Sequence, residues 1–421
     1  MRTGRIGARI GRRALFAAAA ALPLVGARQV RANDHEAWRA LIPKVGPPPR
    51  LPAPTLGAPW LGRQAYIDLA RQTAANLIRE DGWVMPSAWY PMLFARDAWW
   101  VVASHGDPRI HAAVSRRLAA EQHATGQMPT ALYIDGYRPP GRDNDDDSTL
   151  LFVMLEYDAF LHGGAPNREA LVRAAQWLAA RAPGGRYGSQ PGGTAYWLDT
   201  LSLAGVEPCV AYNQGMYAVV CRALENMGIA ATGTSSVEAW YRRLFDGDLG
   251  QIRAYVDRDG LFGELRDISA LVGEALSWYY FSQPILDPSM VSQTLVNQPR
   301  AFYADGAFLG FRNLTKADAE PLPNAWMSDW PASSAGNYQN GGSWLLYDAL
   351  ALYAGARHGV PDAAPLLRAR LLSETRRDPA LHEYLETTPQ RAGQSEERRA
   401  GYGWNSFVAN LLESLGDAVD A

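Results

Sequence analysis

The chain has 421 residues, of which 48% are hydrophobic and 20% charged, and its formal net charge is −3. This apolar content excludes a disordered chain and is sufficient for a large buried core. Because no basic run follows the first residues, the charge gives no reason to expect nucleic acid as a partner.

The first 32 residues have the pattern of an export signal. Arginines at positions 12 and 13 precede an apolar, Ala-rich stretch over 14–26, and residues 30–32 offer a small-residue cleavage site. The stretch is too short for a membrane-spanning helix. The paired arginines resemble a twin-arginine signal, so we expect a periplasmic or secreted protein that begins near Asn33. A plain amphipathic helix is the alternative, and no later stretch has the apolar length of a membrane span.

A Pro-rich extension is predicted at 33–60, ahead of a helical domain at 61–421. Seven prolines lie between positions 43 and 59. Such a run prefers an extended path and cannot form a helix, so we expect it to lie on the surface of the domain or to tether it.

The two cysteines, Cys209 and Cys221, are twelve residues apart. On one helix they would lie about 18 Å apart along the axis. A disulfide needs Cα atoms within about 7 Å, so we predict two free, buried thiols.

Helical patterns dominate the remainder of the chain. Residues 150–155 are apolar on every side, which is typical of a helix buried between other elements. Residues 216–227 instead place apolar side chains at offsets of three and four. The predicted helices cover 63–80, 108–124, 147–162, 215–227, 237–255, 271–281, 343–357, 363–375 and 406–415. Strand-like alternation is rare, so we predict an all-α fold.

Long loops rich in Gly, Pro, Asp and aromatic residues separate these helices. They cover 83–94, 126–146, 184–207, 326–342 and 387–403. Long ordered loops usually carry function. Buried and amphipathic helices in alternation, joined by such loops on one side, predict an (α/α)6 toroid whose loops converge at one end.

Two of these segments carry charged residues next to a predicted helix. Arg96 and Asp97 could together bind neighbouring hydroxyl groups, or could form a salt bridge at a helix start. Four aspartates at positions 143, 145, 146 and 147 precede the most apolar helix. The helix dipole explains one or two of them, and the position favours Asp146 or Asp147 as a ligand contact. Ser148 and Met154 exclude an EF-hand, although another metal site stays open.

Three further segments combine polar and aromatic residues. Asp199 follows Tyr196-Trp197-Leu198, and such surroundings raise the pKa of a carboxyl group, as a general acid requires. The second segment, 338–344, is a polar-aromatic turn that opens a helix. The third joins Glu383 and Glu386 to a Gly-Tyr-Gly-Trp turn at 401–404. Each could instead be a capped helix start.

In this order the five segments resemble the six-hairpin glycosidases, the group that includes processing α-glucosidases, trehalases and glycogen-debranching enzymes. The resemblance covers roughly 83–415. Arg96-Asp97-Ala98 is similar to the segment that holds the non-reducing sugar. Trp197-Leu198-Asp199, with Tyr212-Asn213 behind it, looks like the general-acid region. Glu383-Tyr384, followed by the turn at 401–404, resembles the region of the catalytic base.

The resemblance implies an inverting glycoside hydrolase that cleaves a terminal α-linked sugar, with a glucoside as the first expectation. Asp199 would protonate the leaving oxygen, and Glu383, or Glu386 in its place, would activate a water across about 6.5–9.5 Å. It implies a carbohydrate substrate and no organic cofactor. The spacing of the seven histidines predicts no metal, although one at the aspartates of 143–147 stays open. The predicted substrate-binding residues are Arg96, Asp97, Trp99, Asp146, Asp147, Trp197, Tyr212, Asn213, Gln339, Asn340, Trp344 and Trp404.

Two alternatives remain at this point. The same barrel could be a polysaccharide lyase or an unsaturated uronyl hydrolase, with Arg138 and Arg142 available to neutralise a uronate. It could also be a periplasmic carbohydrate-binding toroid without catalysis. The sequence leaves the sugar, the linkage and the oligomeric state open.

Overall fold

Helices make up most of the structure. The computed structural model describes residues 47–51, 60–79, 81–90, 92–133, 145–189, 197–198, 201, 208–256, 265–327, 334–396 and 399–420. These ranges contain twelve α-helices: α1 Arg63–Leu77, α2 Ala95–His105, α3 Pro108–Ala120, α4 Asp147–Leu161, α5 Arg168–Ala180, α6 Ala211–Asn226, α7 Thr234–Arg243, α8 Val272–Phe281, α9 Pro288–Asn297, α10 Leu345–Arg357, α11 Ala363–Glu374 and α12 Val408–Leu415.

The helices form two concentric layers. The even-numbered helices α2, α4, α6, α8, α10 and α12 pack each against the next, and the 3₁₀ turn Gly403–Phe407 before α12 returns the ring to α2. The odd-numbered helices pack outside them, as α3 does on α4 and α11 on α10. The prediction of an all-α (α/α)6 toroid is confirmed.

Side-chain chemistry separates the two layers. In α4, 13 of 15 residues are buried, because apolar side chains surround the helix axis. In α3 only 4 of 13 residues are buried, along one stripe, and the Asp107 side chain caps its start ahead of Pro108. A helix that is apolar all round needs neighbours on every side, whereas a striped helix needs them on one.

In the described part of the loops, ten short strands form two-stranded antiparallel ladders. The strands are β1 Leu93–Phe94, β2 Ala131–Leu132, β3 Cys209–Val210, β4 Phe245–Asp246, β5 Gln251–Ile252, β6 Tyr255–Val256, β7 Leu265–Arg266, β8 Arg300–Phe302, β9 Phe308–Phe311 and β10 Thr315–Lys316. The pairs are β1 with β2, β3 with β6, β4 with β5, β7 with β10, and β8 with β9. The ladder of β1 and β2 sets Leu93 opposite Leu132, just ahead of α2.

Two local predictions need correction, and two helices were missed. The helix predicted at 237–255 ends at Arg243, because the Asp246 carboxylate accepts the backbone N–H groups of Asp248 and Leu249 and turns the chain into a β-hairpin. Arg96 and Asp97, expected before a helix, lie in the first turn of α2. Helices α5 and α9 were not predicted.

Both cysteines are free and buried, as predicted, although Cys209 lies in β3 and Cys221 in α6 rather than on one helix. None of the helices in the described ranges has the length and apolarity needed to cross a bilayer. The predicted export signal at 1–32 and most of the predicted extension at 33–60 lie outside the described residues. The part at 47–51 contacts the domain, since Leu51 donates its N–H to the Pro379 carbonyl at 2.8 Å.

Candidate active site

The inner helices begin at one end of the barrel, and the predicted segments meet there. Asp97 lies in the first turn of α2, Asp147 is the first residue of α4, and Tyr212 is the second of α6. Trp344 immediately precedes α10, and Trp404 lies in the turn before α12. Hairpin connections reverse the chain twice between successive inner helices, so those helices run parallel and present their N-termini together.

Arg96 is the centre of a buried polar cluster. Its Nε donates to Asp147 Oδ2 at 2.8 Å, and its second terminal nitrogen donates to Asp147 Oδ1 at 3.2 Å and Asp145 Oδ2 at 3.1 Å. The other terminal nitrogen reaches the Trp197 carbonyl at 3.4 Å. A planar guanidinium held on three sides is rigid, so it can present a fixed geometry to a ligand.

Asp97 is a buried carboxyl group beside this cluster. Burial raises its pKa to about 7; the positive charge of Arg96 opposes that rise, and the negative charge of Glu383 adds to it. Its Oδ1 atom has no hydrogen-bond partner among the described residues. A carboxyl group that titrates near neutral pH can donate or accept a hydrogen bond to a bound hydroxyl.

Glu383 belongs to the same site, because its charge acts on both Asp97 and Tyr402. Its side chain is buried and its Oε2 accepts a hydrogen bond from Arg399. Arg399 also donates to the Tyr90 hydroxyl at 2.6 Å, and its guanidinium lies 5.3 Å from the Tyr338 ring centroid. Arg399 and Glu383 therefore form a buried ion pair at the site.

Glu386, the alternative base, has different neighbours. Its Oε1 lies 2.8 Å from the Arg391 guanidinium. Burial raises the pKa of Glu386, the charge of Arg391 opposes that rise, and the charge of Glu396 adds to it. Leu385, which lies between Glu383 and Glu386 in the sequence, packs in a small apolar cluster with Ala392. Glu383 is therefore the glutamate that interacts with the Asp97 carboxyl.

Aromatic rings connect these polar groups. The Trp197 ring stacks on Tyr347 with centroids 4.1 Å apart and meets Trp344 edge-on at 5.0 Å. Trp344 in turn stacks on Tyr384 at 5.5 Å. The connected rings are Tyr90, Tyr402, Trp404, Trp197, Tyr347, Tyr212, Trp344, Tyr384 and Tyr338. Flat aromatic faces of this kind suit the C–H faces of a sugar ring.

Four predicted binding residues have other partners in the structure. Trp99 is fully buried in the core and donates its indole N–H to Asp158 at 2.6 Å. Asp146 lies 3.4 Å from the Arg181 guanidinium. The amide of Asn213 donates to Ser189 at 3.4 Å, and that of Asn340 holds the backbone of Leu322. We assign Trp99 to the barrel core, because its indole N–H is bound by Asp158, which lies eleven residues along α4 from Asp147.

Gln339 and Asp199 are two further predicted site residues. Gln339 belongs to the site, because its side chain donates to the Trp197 carbonyl at 2.9 Å. Asp199, the predicted general acid, lies outside the described residues, so its role stays a prediction. Trp197, two residues before it, is buried and anchored through that carbonyl by both Arg96 and Gln339.

Several residues of the site were not among those predicted, and Tyr347, Asp145 and Arg399 are three of them. Tyr347 stacks on Trp197, and its position three residues after Trp344 in a helix start was a usable signal. Asp145 was noted in the acidic run but not selected as a site residue. Arg399 had no local signal, since a run of charged residues around it is typical of an exposed surface. Within the described ranges, no cluster of three or more His, Cys, Asp or Glu side chains could hold a metal ion.

Comparison with known proteins gives structural relatives only. No protein-family model matches the sequence, and no curated protein matches it. A glycosidase variant solved with glucose superimposes with a TM-score of 0.55 at 15% identity, over 84% of this chain and 97% of that one. The GH63 mannosylglycerate hydrolase from Thermus thermophilus, solved with glucose, gives 0.56 at 13%, over 82% and 99%. The same enzyme with Tris and D-glycerate gives 0.54 at 12%, over 81% and 99%. The chain therefore has the helical toroid fold of these glycosidases.

Proposed function

We propose that the protein is a glycoside hydrolase that releases a terminal α-linked sugar with inversion at the anomeric carbon. One observation carries the proposal: two buried carboxyl groups, Asp97 and Glu383, interact at the end of the barrel where a fixed arginine and a group of aromatic rings also meet. A hydrolase of this class needs carboxyl groups in a site that can hold one sugar.

Two buried polar atoms without a hydrogen-bond partner among the described residues support sugar binding at the proposed site. Among the described residues, neither Asp97 Oδ1 nor the Trp404 indole nitrogen has a hydrogen-bond partner, and both atoms are buried. Buried polar atoms are normally paired, so unpaired ones at a cluster of aromatic rings fit the hydroxyl groups of a ligand. Arg96 is held by Asp145 and Asp147, which fixes the side of the site next to Asp97.

The chemical step assigns one proton transfer to each of two carboxyl groups. Glu383 takes a proton from a water whose oxygen bonds to the anomeric carbon. The bond from that carbon to the leaving oxygen breaks, and Asp199 gives its proton to the leaving oxygen. The Arg399 ion pair supports Glu383 as the base, because a general base must start ionised.

The structural relatives suggest which substrates to test first. Two of them were solved with glucose, and one is named as a hydrolase of mannosylglycerate. We therefore propose α-glucosides and α-mannosides, with neutral and glycerate aglycones, as the first panel. We also propose export through the signal pattern at 1–32, which N-terminal sequencing of protein from the cell envelope would test.

The test compares the wild type with Glu383→Gln, Asp199→Asn and the control Glu386→Gln on this panel, with NMR of the first-formed anomer. We expect the first two variants to lose at least about a thousandfold in kcat while binding the sugar, and the control to stay within about threefold. Retention of the α anomer would overturn inversion. A product that absorbs in the ultraviolet would indicate a lyase, and sugar binding without turnover would indicate a binding protein.

A further inference from the structure

A buried ionic network lies directly behind the loop that carries Glu383. Glu374 is the last residue of α11. Its Oε1 accepts the backbone N–H of His382 at 2.5 Å and lies 3.2 Å from Nδ1 of the His382 ring. Its other oxygen accepts from Arg370 at 2.7 Å. Glu374 therefore holds the backbone of the residue that immediately precedes Glu383.

The same network reaches the other side of the loop. Arg370 donates from Nε to Asp348 at 2.7 Å, and the same Asp348 oxygen accepts from the Ser343 hydroxyl at 2.8 Å. The backbone of Ser343 pairs with that of Leu385 in both directions, at 2.9 and 2.8 Å. The circuit from Glu374 through Arg370, Asp348 and Ser343 thus closes around the segment 382–385.

The network is fully enclosed. Glu374, Arg370, Asp348 and Ser343 are all at most 1% exposed. Strand β9 packs on it so closely that a Cβ atom at Gly310 would lie 2.5 Å from Asp348 Oδ2 and 2.9 Å from Arg370 Nε. A buried ion network gives little net stability but fixes geometry, because a charge that leaves its partner there is strongly penalised.

We infer that Glu374 is a positioning residue for Glu383: through the His382 backbone and the Arg370–Asp348–Ser343 circuit, it holds the loop so that the Glu383 carboxylate meets the attacking water. The inference rests on the proposed function for the identity of the step. The placement of Glu383 by Glu374 does not depend on the identity of the substrate.

The first experiment measures kinetics of Glu374→Gln, which keeps the side-chain shape and removes its charge. We expect kcat to fall about 30-fold or more, with KM changed less than threefold. The matched control is Glu156→Gln. Glu156 is equally buried, but it lies nine residues along α4 from Asp147, about 13 Å from the site end. We expect this control to lose stability and to keep kcat within twofold.

A double-mutant cycle separates positioning from general damage. If Glu374 acts through Glu383, adding Glu374→Gln to Glu383→Gln costs less than about twofold in kcat on an activated aryl glycoside. Equal fold-losses of kcat in both backgrounds would overturn the inference. So would an unchanged kcat for Glu374→Gln alone.

A crystal structure of Glu374→Gln gives a readout that needs no turnover. We expect the barrel helices to superimpose and the Glu383 carboxylate to move by about 1 Å or more. An unmoved carboxylate would contradict the inference even if the enzyme proves inactive on every glycoside. Absence of turnover in the wild type would instead contradict the proposed function, so the two failures are distinguishable.

Discussion

Arg96 and Asp147 form a two-point ion pair at the base of the site, with N–O distances of 2.8 and 3.2 Å. The pair joins the first turns of α2 and α4, and both side chains are buried. Its geometry depends on the planar fork of arginine, because a lysine ammonium cannot make the same two parallel bonds.

We therefore expect Arg96→Lys to lower kcat/KM by about 100-fold, equivalent to about 2.7 kcal/mol. The folded state should also lose stability, because Asp145 and Asp147 keep only one point charge between them. Steady-state kinetics and urea unfolding measure both effects. The control Arg173→Lys alters an exposed pair with Glu169 and should leave both quantities unchanged. Wild-type kcat/KM in Arg96→Lys would remove Arg96 from the site.

Asp97 predicts a pH dependence of stability. Burial raises its pKa in the folded state to about 7, against the ordinary value of 3.8 for an aspartate. Between those values the folded state binds more protons than the unfolded state. The contribution of Asp97 to the free energy of unfolding is therefore fully present below pH 3.8 and is lost as pH rises through 7. Asp97→Asn removes the effect. Relative to the wild type, the variant should gain stability between pH 4 and pH 8, by up to about 4 kcal/mol.

Urea unfolding of both proteins at several pH values measures this difference. The wild-type curve also contains every other titrating group, so only the difference between the two proteins is informative. A difference that is flat from pH 4 to pH 8 would show that Asp97 ionises normally.

His111 predicts a pH dependence of the free energy of unfolding that is opposite in sign to that of Asp97. Its ring is fully buried, and burial, followed by the charge of His162 at a ring-centroid distance of 5.6 Å, lowers its pKa to about 4. Between pH 6.5 and 4 the unfolded state binds the extra proton, so this stability is present above 6.5 and is lost as pH falls. We expect His111→Leu to reduce the loss of unfolding free energy over that range by up to about 3 kcal/mol. An acid-unfolding curve parallel to that of the wild type would contradict this.

Two tryptophans should respond in opposite ways to replacement by phenylalanine. Trp99→Phe removes the donor to the buried Asp158 carboxylate, so it should cost about 2 kcal/mol of stability and leave kcat/KM within threefold. Trp404→Phe loses a similar volume of packed ring but removes an indole N–H that has no partner among the described residues, so it should cost less stability than Trp99→Phe and lower kcat/KM about tenfold. Thermal unfolding and kinetics of the same two preparations decide between these assignments. The reverse pattern would place Trp99 in the site and Trp404 in the core.

The local pattern of apolar residues was enough to predict the architecture. The run at 150–155 is buried because it has no polar face, whereas α6, read as a one-sided stripe over 216–227, has 13 of its 16 residues buried because it packs in the inner ring. Arg96, Asp97, Trp197, Trp344 and Glu383 could be selected as candidates for two reasons. Polar and aromatic residues at or before an inner helix start lie at the loop end of such a barrel, and the order of these segments along the chain resembles that of known glycosidases.

Only the tertiary structure determined which groups face one another. Glu383 and Glu386 look alike in sequence, three residues apart, and they differ because one pairs with Arg399 and the other with Arg391. Trp99 and Trp404 are likewise indistinguishable in the sequence, but in the structure the Trp99 indole N–H donates to Asp158 in the core. Helix periodicity is a property of neighbouring residues and can be read along the chain. Ion pairs and the burial of single charges depend on residues far apart in sequence, which come together only when the ring of inner helices closes.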